Sequence, residues 1–304
     1  MKILISGGNG QLVTDLAERL RMFAGYEVYA FDRWEWSITD HPKTCRMFEK
    51  YNPDIYINGA SYHAVEQINL NVEHACNVNV SSIFRLSELC NKYNTTFINF
   101  STNYVFDGRP LPPEDFVEIE HYNETDKPNP VNMYGITKYA GEMILETTCE
   151  KFYNFRVSGL FGRTGSRAKN NMNFPLIIMD KLKKDKTAQV VNDQHINVTY
   201  TRDVATTIEL ALHRDIPQGH YHLTNKGKCT WYDVAVYIAK INDYNIEVIE
   251  PIGTEDFYTN LKRPIDTALN SYKLEKALAI EIPTWQDALD RFKKEIENGR
   301  NDNV

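Results

Sequence analysis

Lys2-Ile3-Leu4-Ile5-Ser6 is an apolar run of strand length, and Gly7-Gly8-Asn9-Gly10 follows it without a break. Leu12, Leu16 and Leu20 then recur at helical spacing. Strand, glycine turn and helix in direct succession leave few folds open. A short run with no polar alternation reads as a parallel strand buried on both faces. The bare backbone of the turn lets an anion approach, and the helix that follows points its free N–H groups at it.

The pattern repeats down the chain. Glu27-Val28-Tyr29-Ala30-Phe31 ends at Asp32, Ile55-Tyr56-Ile57-Asn58 ends at Gly59-Ala60, and Thr96-Phe97-Ile98-Asn99-Phe100 ends at Ser101-Thr102. Tyr153 to Val157 reads as a further strand. Helical stretches separate these runs, so the expected fold class is α/β with a doubly wound parallel sheet. Ligands on such sheets sit beyond the carboxyl ends of the strands, where Gly7, Asp32, Ala60 and Thr102 all fall. Asp32 is placed for ribose hydroxyls of a dinucleotide, whereas Arg33 suits a 2′-phosphate; the alternative for Asp32 is a plain turn residue. The Gly/Asn-rich stretch from Gly162 to Asn173 marks an exit from this first domain. A helix over 203–213 and the strand Tyr221-His222-Leu223 return to it. The expected division is a dinucleotide-binding domain of residues 1–161 with 200–224, and a smaller α/β lobe of 162–199 with 225–304.

The chain has 304 residues and a net charge of -7, which argues against a nucleic-acid or membrane-surface partner. No apolar run reaches membrane-spanning length, and the N-terminal run is too short for a secretion signal. The 5 cysteines lack metal-site or redox spacing. Together these lead to an expected cytoplasmic location with free thiols.

Tyr134 and Lys138 lie one turn apart in Tyr134-Gly135-Ile136-Thr137-Lys138, on one face of a helix. A phenol beside an ammonium is a proton-transfer unit, because the cation favours the phenolate and is expected to pull the tyrosine down from its usual value near 10. Such a tyrosine serves as a general acid or base. His220 and His222 on one strand face are read as strand histidines rather than metal ligands, since no third ligand stands nearby. His63 and His195 are candidates to line the pocket.

Three stretches together carry a resemblance: Gly7-Gly8-Asn9-Gly10-Gln11-Leu12, Ser101-Thr102-Asn103-Tyr104-Val105-Phe106-Asp107-Gly108, and Tyr134 through Glu142. With them the chain resembles the extended short-chain dehydrogenase/reductase family, and more closely the dTDP-4-dehydrorhamnose reductase group. That resemblance implies a Rossmann-type sheet with a substrate-binding lobe. It also implies NAD(P)H-dependent reduction of the C4 keto group of a nucleotide-linked 4-keto-6-deoxyhexose, in deoxysugar biosynthesis. Tyr134 would protonate the carbonyl oxygen, Thr102 would hydrogen-bond it, Lys138 would bind the nicotinamide ribose, and Asn79 would support a proton relay. NAD(H) or NADP(H) would meet Gly7, Gly10, Gln11, Leu12, Asp32, Arg33, Ala60, Ser61, Tyr62, Tyr134 and Lys138. The nucleotide-sugar would meet Ser101, Asn103, Val105, Gly159, Asn173 and Arg263, whose fork suits a diphosphate. A homodimer is the assembly compatible with this resemblance.

The chain departs from the pattern at defined points. Val13 replaces a third glycine, and its bulk is expected to push the helix away or crowd a pyrophosphate. Gly159 replaces a tryptophan, which is expected to open space that Phe116 or Tyr122 of the Pro-rich 109–131 loop would fill. Asn103-Tyr104 stands where same-fold dehydratases carry Asp-Glu, which argues against dehydration. An epimerase of the same fold and a non-catalytic cofactor-binding regulatory subunit are the competing readings.

Overall fold

The structure is a computed structural model that describes residues 1–108, 121–166, 170–184, 186–257 and 261–301. Six strands form the central sheet: β1 (Lys2–Ser6), β2 (Glu27–Phe31), β3 (Ile55–Asn58), β4 (Thr96–Thr102), β5 (Phe152–Val157) and β6 (Gly219–His222). Their spatial order is β6-β5-β4-β3-β1-β2 and every neighbouring pair is parallel. The doubly wound parallel sheet read from the sequence is the sheet observed.

Parallel strands need helical crossovers, and these cover both faces. Side chains alternate along each strand. Ile3, Ile5, Ile57, Ile98 and Phe155 face one side, where they pack with α1 (Gln11–Arg21) and a helix at Thr201–Arg214. Leu4, Tyr56 and Phe97 face the other, against α2 (His41–Tyr51), α3 (Ser82–Lys92) and α4 (Met133–Thr148). A separate apolar cluster gathers Ile178, Val190, Ile238 and Phe292 from the later helices and short strands.

A polar seam crosses the buried sheet. Ser6 Oγ donates to Asn58 Oδ1 (3.1 Å), Asn58 Nδ2 to Asn99 Oδ1 (3.0 Å), and Asn99 Nδ2 to Asn154 Oδ1 (2.8 Å); Asn154 Nδ2 then meets His220 Nδ1 (3.0 Å). Each pair is also a register pair of adjacent strands. A slip of one residue would turn these amides onto the apolar layer, so the seam fixes the register that aligns the strand ends.

Candidate active site

The glycine turn forms a cradle at the end of β1. Gly7 has φ +79°, and a Cβ there would lie 2.7 Å from the carbonyl carbon of Gly59. Gly8 N donates to Phe31 O at 2.7 Å and ties the turn to β2. Gly10 caps α1 in extended conformation with no side-chain cap, and the first turn of α1 carries no acid. The amides of Gln11, Leu12 and Val13 are therefore the orphan donors of a helix N-terminus, and a dinucleotide pyrophosphate fits them.

Val13 corrects an expectation. It is 1% exposed, and a Cβ built on Gly59 would fall on its Cγ2. The bulk expected to crowd the pyrophosphate points instead at the β3 exit, where Gly59 leaves room for it.

Asp32 is a turn residue in this structure. Its Oδ1 accepts from the amides of Trp34 (2.8 Å) and Glu35 (3.0 Å), and its Oδ2 accepts from Asn9 Nδ2 (2.7 Å). It thereby braces the glycine turn from β2. Exposed Arg33 lies over the Trp34 ring, 5.2 Å from its centroid. Ala60 N donates to Asn58 Oδ1 (3.2 Å), and the Ser61 carbonyl meets His63 Nδ1 (3.3 Å). Asn79 sits in a π turn, a device common at functional sites. Its amide closes on both backbone groups of Tyr62 (2.9 and 3.0 Å) and donates to Thr137 Oγ1 (3.1 Å). Asn79 so clamps the β3 exit to α4.

The Asn132 side chain caps α4 through Gly135 N (2.9 Å), which aims Tyr134 and Lys138 at the end of β4. Lys138 Nζ donates to Phe100 O at 2.7 Å. Burial drives the Tyr134 phenol up to about 12, against the neighbouring Thr102 hydroxyl, which pulls it down. The lowering expected from Lys138 is overturned here: desolvation dominates while the ammonium is held on the Phe100 carbonyl. The phenol is consequently protonated at neutral pH, the state a proton donor needs. Thr102 Oγ1 accepts from Tyr104 N (3.2 Å) and donates to Asn103 Oδ1 (3.2 Å), and Asn103 Nδ2 donates to Thr267 Oγ1 (2.6 Å). Ser101 Oγ is buried with no hydrogen-bond partner among the described residues.

A cavity of about 510 Å³ opens beside this centre, lined by Gly108, Val131, His195, Lys262, Arg263 and Asp266 among others. Arg263 Nη1 donates to Tyr104 Oη at 2.7 Å, and its Nη2 pairs with Glu66. The Tyr104 ring stands edge-on to Tyr134, centroids 5.7 Å apart. Arg263 and Tyr104 thus connect the cavity to the phenol.

Other expected substrate contacts fall elsewhere. Val105 is fully buried in a cluster with Phe106, Tyr122 and Leu269, so its side chain packs rather than lines the cavity. Asn173 is 2% exposed; it caps a helix through Leu176 N (3.1 Å) and donates to Gln11 Oε1 (2.9 Å) and Gly162 O (2.6 Å). Gly159 has φ +52°, and a Cβ there would meet Asn197 O at 2.7 Å. The space expected at Gly159 is filled by neighbouring backbone. Tyr122 stacks on Phe106 instead (4.1 Å), and Phe116 lies outside the described residues. Sequence reasoning passed over Glu66, and over Gly59 as the partner of Val13; neither partner is near in sequence, and no local pattern signals such a pairing.

Known proteins place this geometry. The family described as the RmlD substrate binding domain matches residues 1–298. The chain is similar to a dTDP-4-dehydrorhamnose reductase of Aggregatibacter actinomycetemcomitans, 31% identical over 97% of this chain and 99% of that one. It is also similar to the spore coat polysaccharide biosynthesis protein SpsK of Bacillus subtilis, 29% identical over 97% of both. Among solved structures, dTDP-4-dehydrorhamnose reductase from Bacillus anthracis in complex with NADP superposes with a TM-score of 0.87, at 29% identity over 97% of this chain and 99% of that one. With the glycine cradle, the Thr102–Tyr134–Lys138 cluster and the Arg263 cavity all in one contiguous match, the chain belongs to the RmlD substrate binding domain family of reductases.

Proposed function

We propose that the protein reduces the C4 keto group of a nucleotide-linked 4-keto-6-deoxyhexose, a step of deoxysugar biosynthesis. The observation that carries this reading is the shared placement of Tyr134 and Lys138 at the end of β4, Lys138 on the Phe100 carbonyl and Tyr134 edge-on to Tyr104, which hydrogen-bonds Arg263 of the cavity. A nicotinamide cofactor, NADH or NADPH, supplies the hydride when bound. Gly7, Gly10 and the first amides of α1 would hold its pyrophosphate, and Asp32 and Arg33, at the turn after β2, would meet its adenine ribose. Lys138 donates to ribose hydroxyls. Thr102 orients the carbonyl by a hydrogen bond, its hydroxyl proton turning from Asn103 Oδ1 to the substrate oxygen. As C4 is reduced, the carbonyl π pair becomes an oxygen lone pair and takes the Tyr134 proton. Arg263 grips the diphosphate by its planar fork, which requires Glu66 to yield. Asn79 holds α4 in place for this chemistry. The division reads residues 1–161 with 200–224 as the cofactor part and 162–199 with 225–304 as the sugar-nucleotide part, with Leu274, Leu278 and Ile282 of the second packing into the core of the first. The reading brings with it a homodimer and a cytoplasmic setting, for sedimentation and fractionation to check; among the described residues no helix is long and apolar enough to cross a membrane.

The test offers a panel of nucleotide 4-keto-6-deoxysugars, generated in place by a dehydratase, with NADH and NADPH in parallel. Oxidation of either cofactor with formation of the 4-hydroxy sugar is expected. Cofactor binding without turnover of any keto-sugar would overturn the reading in favour of a regulatory subunit.

A further inference from the structure

Tyr134, Lys138 and Glu142 recur one turn apart, so all three share one face of α4. The first two belong to the proton-transfer site and the third has no role yet. Lys138, Glu142 and Arg156 are 6%, 1% and 4% exposed, so three charges lie together in the interior. Glu142 is held from β5: Arg156 Nε reaches its two carboxylate oxygens at 3.1 and 3.2 Å, and Arg156 Nη2 reaches Oε2 at 2.7 Å. Lys138 donates to a neutral acceptor, the Phe100 carbonyl, and among the described residues no carboxylate lies within ion-pair distance of its ammonium. A buried ammonium in that position loses its charge easily unless a nearby anion supports it.

We propose that the Glu142–Arg156 pair is a positioning unit that keeps Lys138 a cation on the Phe100 carbonyl, beside Tyr134. The proposal rests on the proton-donor reading of Tyr134 given above. Glu142 supplies a negative field one turn below Lys138. Arg156 restrains that carboxylate in a two-pronged grip. Without it, Glu142 would be free to pair with Lys138 directly and draw the ammonium off the carbonyl. Burial brings Lys138 down to about 8, and Glu142 is the group that opposes the fall. Other titratable and charged groups face the pair as well, among them His220 on β6, which feels Glu142, Arg156, Glu146 and Lys273. Tyr104 stands on the turn after β4, edge-on to Tyr134. His222 on β6 meets Arg156 Nη1 (3.4 Å) and is kept neutral by burial and by that guanidinium. Glu124 accepts from His222 N (2.8 Å), and Phe106 presents its ring to Arg156. The π turn and α3 meet Gly141 on this helix with the Asn79 carbonyl and Ile83, neither charged.

A buried pair that merely staples α4 to β5 would alter stability and leave Lys138 titration alone. The test therefore reads titration. Full-length protein is compared with Glu142→Gln, Arg156→Gln and the double variant. The Lys138 titration is followed without cofactor by NMR of lysine labelled at Cε, assigned with Lys138→Arg; in parallel, the alkaline limb of kcat is followed with keto-sugar and cofactor. Glu142→Gln should move both to lower pH by about one unit or more. Arg156→Gln should move both upward, because the released carboxylate pairs with Lys138. The double variant removes both members of the ion pair, so neither is left buried without its partner, and it carries the test if Glu142→Gln fails to fold; it should move downward like Glu142→Gln. Shifts of the same sign in the two single variants, or a double variant that titrates like the parent, would overturn the proposal. If the parent turns over no keto-sugar, the functional reading fails, while the cofactor-free titration still decides for or against the role of Glu142 and Arg156.

Discussion

Replacing Val13 by glycine restores the residue that the family resemblance leads one to expect, and the structure says this will harm the protein. Val13 is 1% exposed and fills the space over Gly59. The change removes three buried carbons. At about 0.8 kcal/mol each the transfer loss is roughly 2.4 kcal/mol. Glycine inside a helix adds a few tenths of a kcal/mol relative to valine. The gap lies against backbone on the β3 side, which cannot collapse far, so the sum is about 3 kcal/mol. For a chain of this size that lowers Tm by roughly 5 °C. Cofactor affinity should hold or fall, since the cradle of Gly7 and Gly10 is untouched and α1 loses its support. Gly59→Ala should be more damaging still, because its Cβ would collide with Val13 and lie 2.7 Å from Ser6 O. Adding Val13→Gly to Gly59→Ala should recover part of that loss, a coupling of the size expected for residues in contact, about 0.5–3 kcal/mol. Thermal and urea unfolding give the stabilities, and cofactor titration by fluorescence gives the affinities. A Val13→Gly variant of unchanged stability that binds cofactor more tightly would refute this reasoning.

Tyr134→Phe should lower turnover by roughly 10²–10⁴ with cofactor binding retained, checked by steady-state kinetics beside a binding titration. Both NADH and NADPH should serve, with NADH somewhat preferred. Asp32→Ala should weaken binding of both, since Asn9 and the Trp34 and Glu35 amides lose their acceptor, and should shift the ratio of efficiencies toward NADPH; intact NADH affinity would show that the brace is dispensable. His222 is 0% exposed and held well below its ordinary value by burial and Arg156. The unfolded chain binds a proton there below about 6.5 that the folded chain refuses. Stability is thus present above that pH and falls with acidification by about 1.4 kcal/mol per unit from this group. Urea titrations at pH 7, 6 and 5 should show a shallower decline in His222→Gln, and parallel declines would remove His222 as the cause. Gly159→Trp should unfold the β5 exit rather than fill a pocket, read as a large loss of Tm; near-parent stability would mean the backbone there yields.

The doubly wound sheet was legible because its signals are local. Ile3, Ile5 and Ile57 lie in apolar runs, glycines follow β1 directly, and helical spacing begins at Leu12; each depends on a handful of adjacent residues. Tyr134 and Lys138 were legible for the same reason, since one helical turn sets their distance. The seam from Ser6 to His220 left a trace too, an asparagine interrupting each of three apolar runs, but only strand order and register turn those residues into a connected chain. Other properties arise between distant residues and exist only once the chain is folded. Val13 is tolerated because Gly59 faces it, and Arg263 meets Glu66 and Tyr104 across most of the chain's length. The Tyr134 phenol shows the division most clearly. The sequence determined that a cation would lie one turn away, which argues for a lowered pKa. The tertiary structure surrounded the ring with protein and engaged the ammonium on a carbonyl of β4, so desolvation decided the opposite direction. Desolvation depends on everything that packs around a group, and no window of sequence contains that.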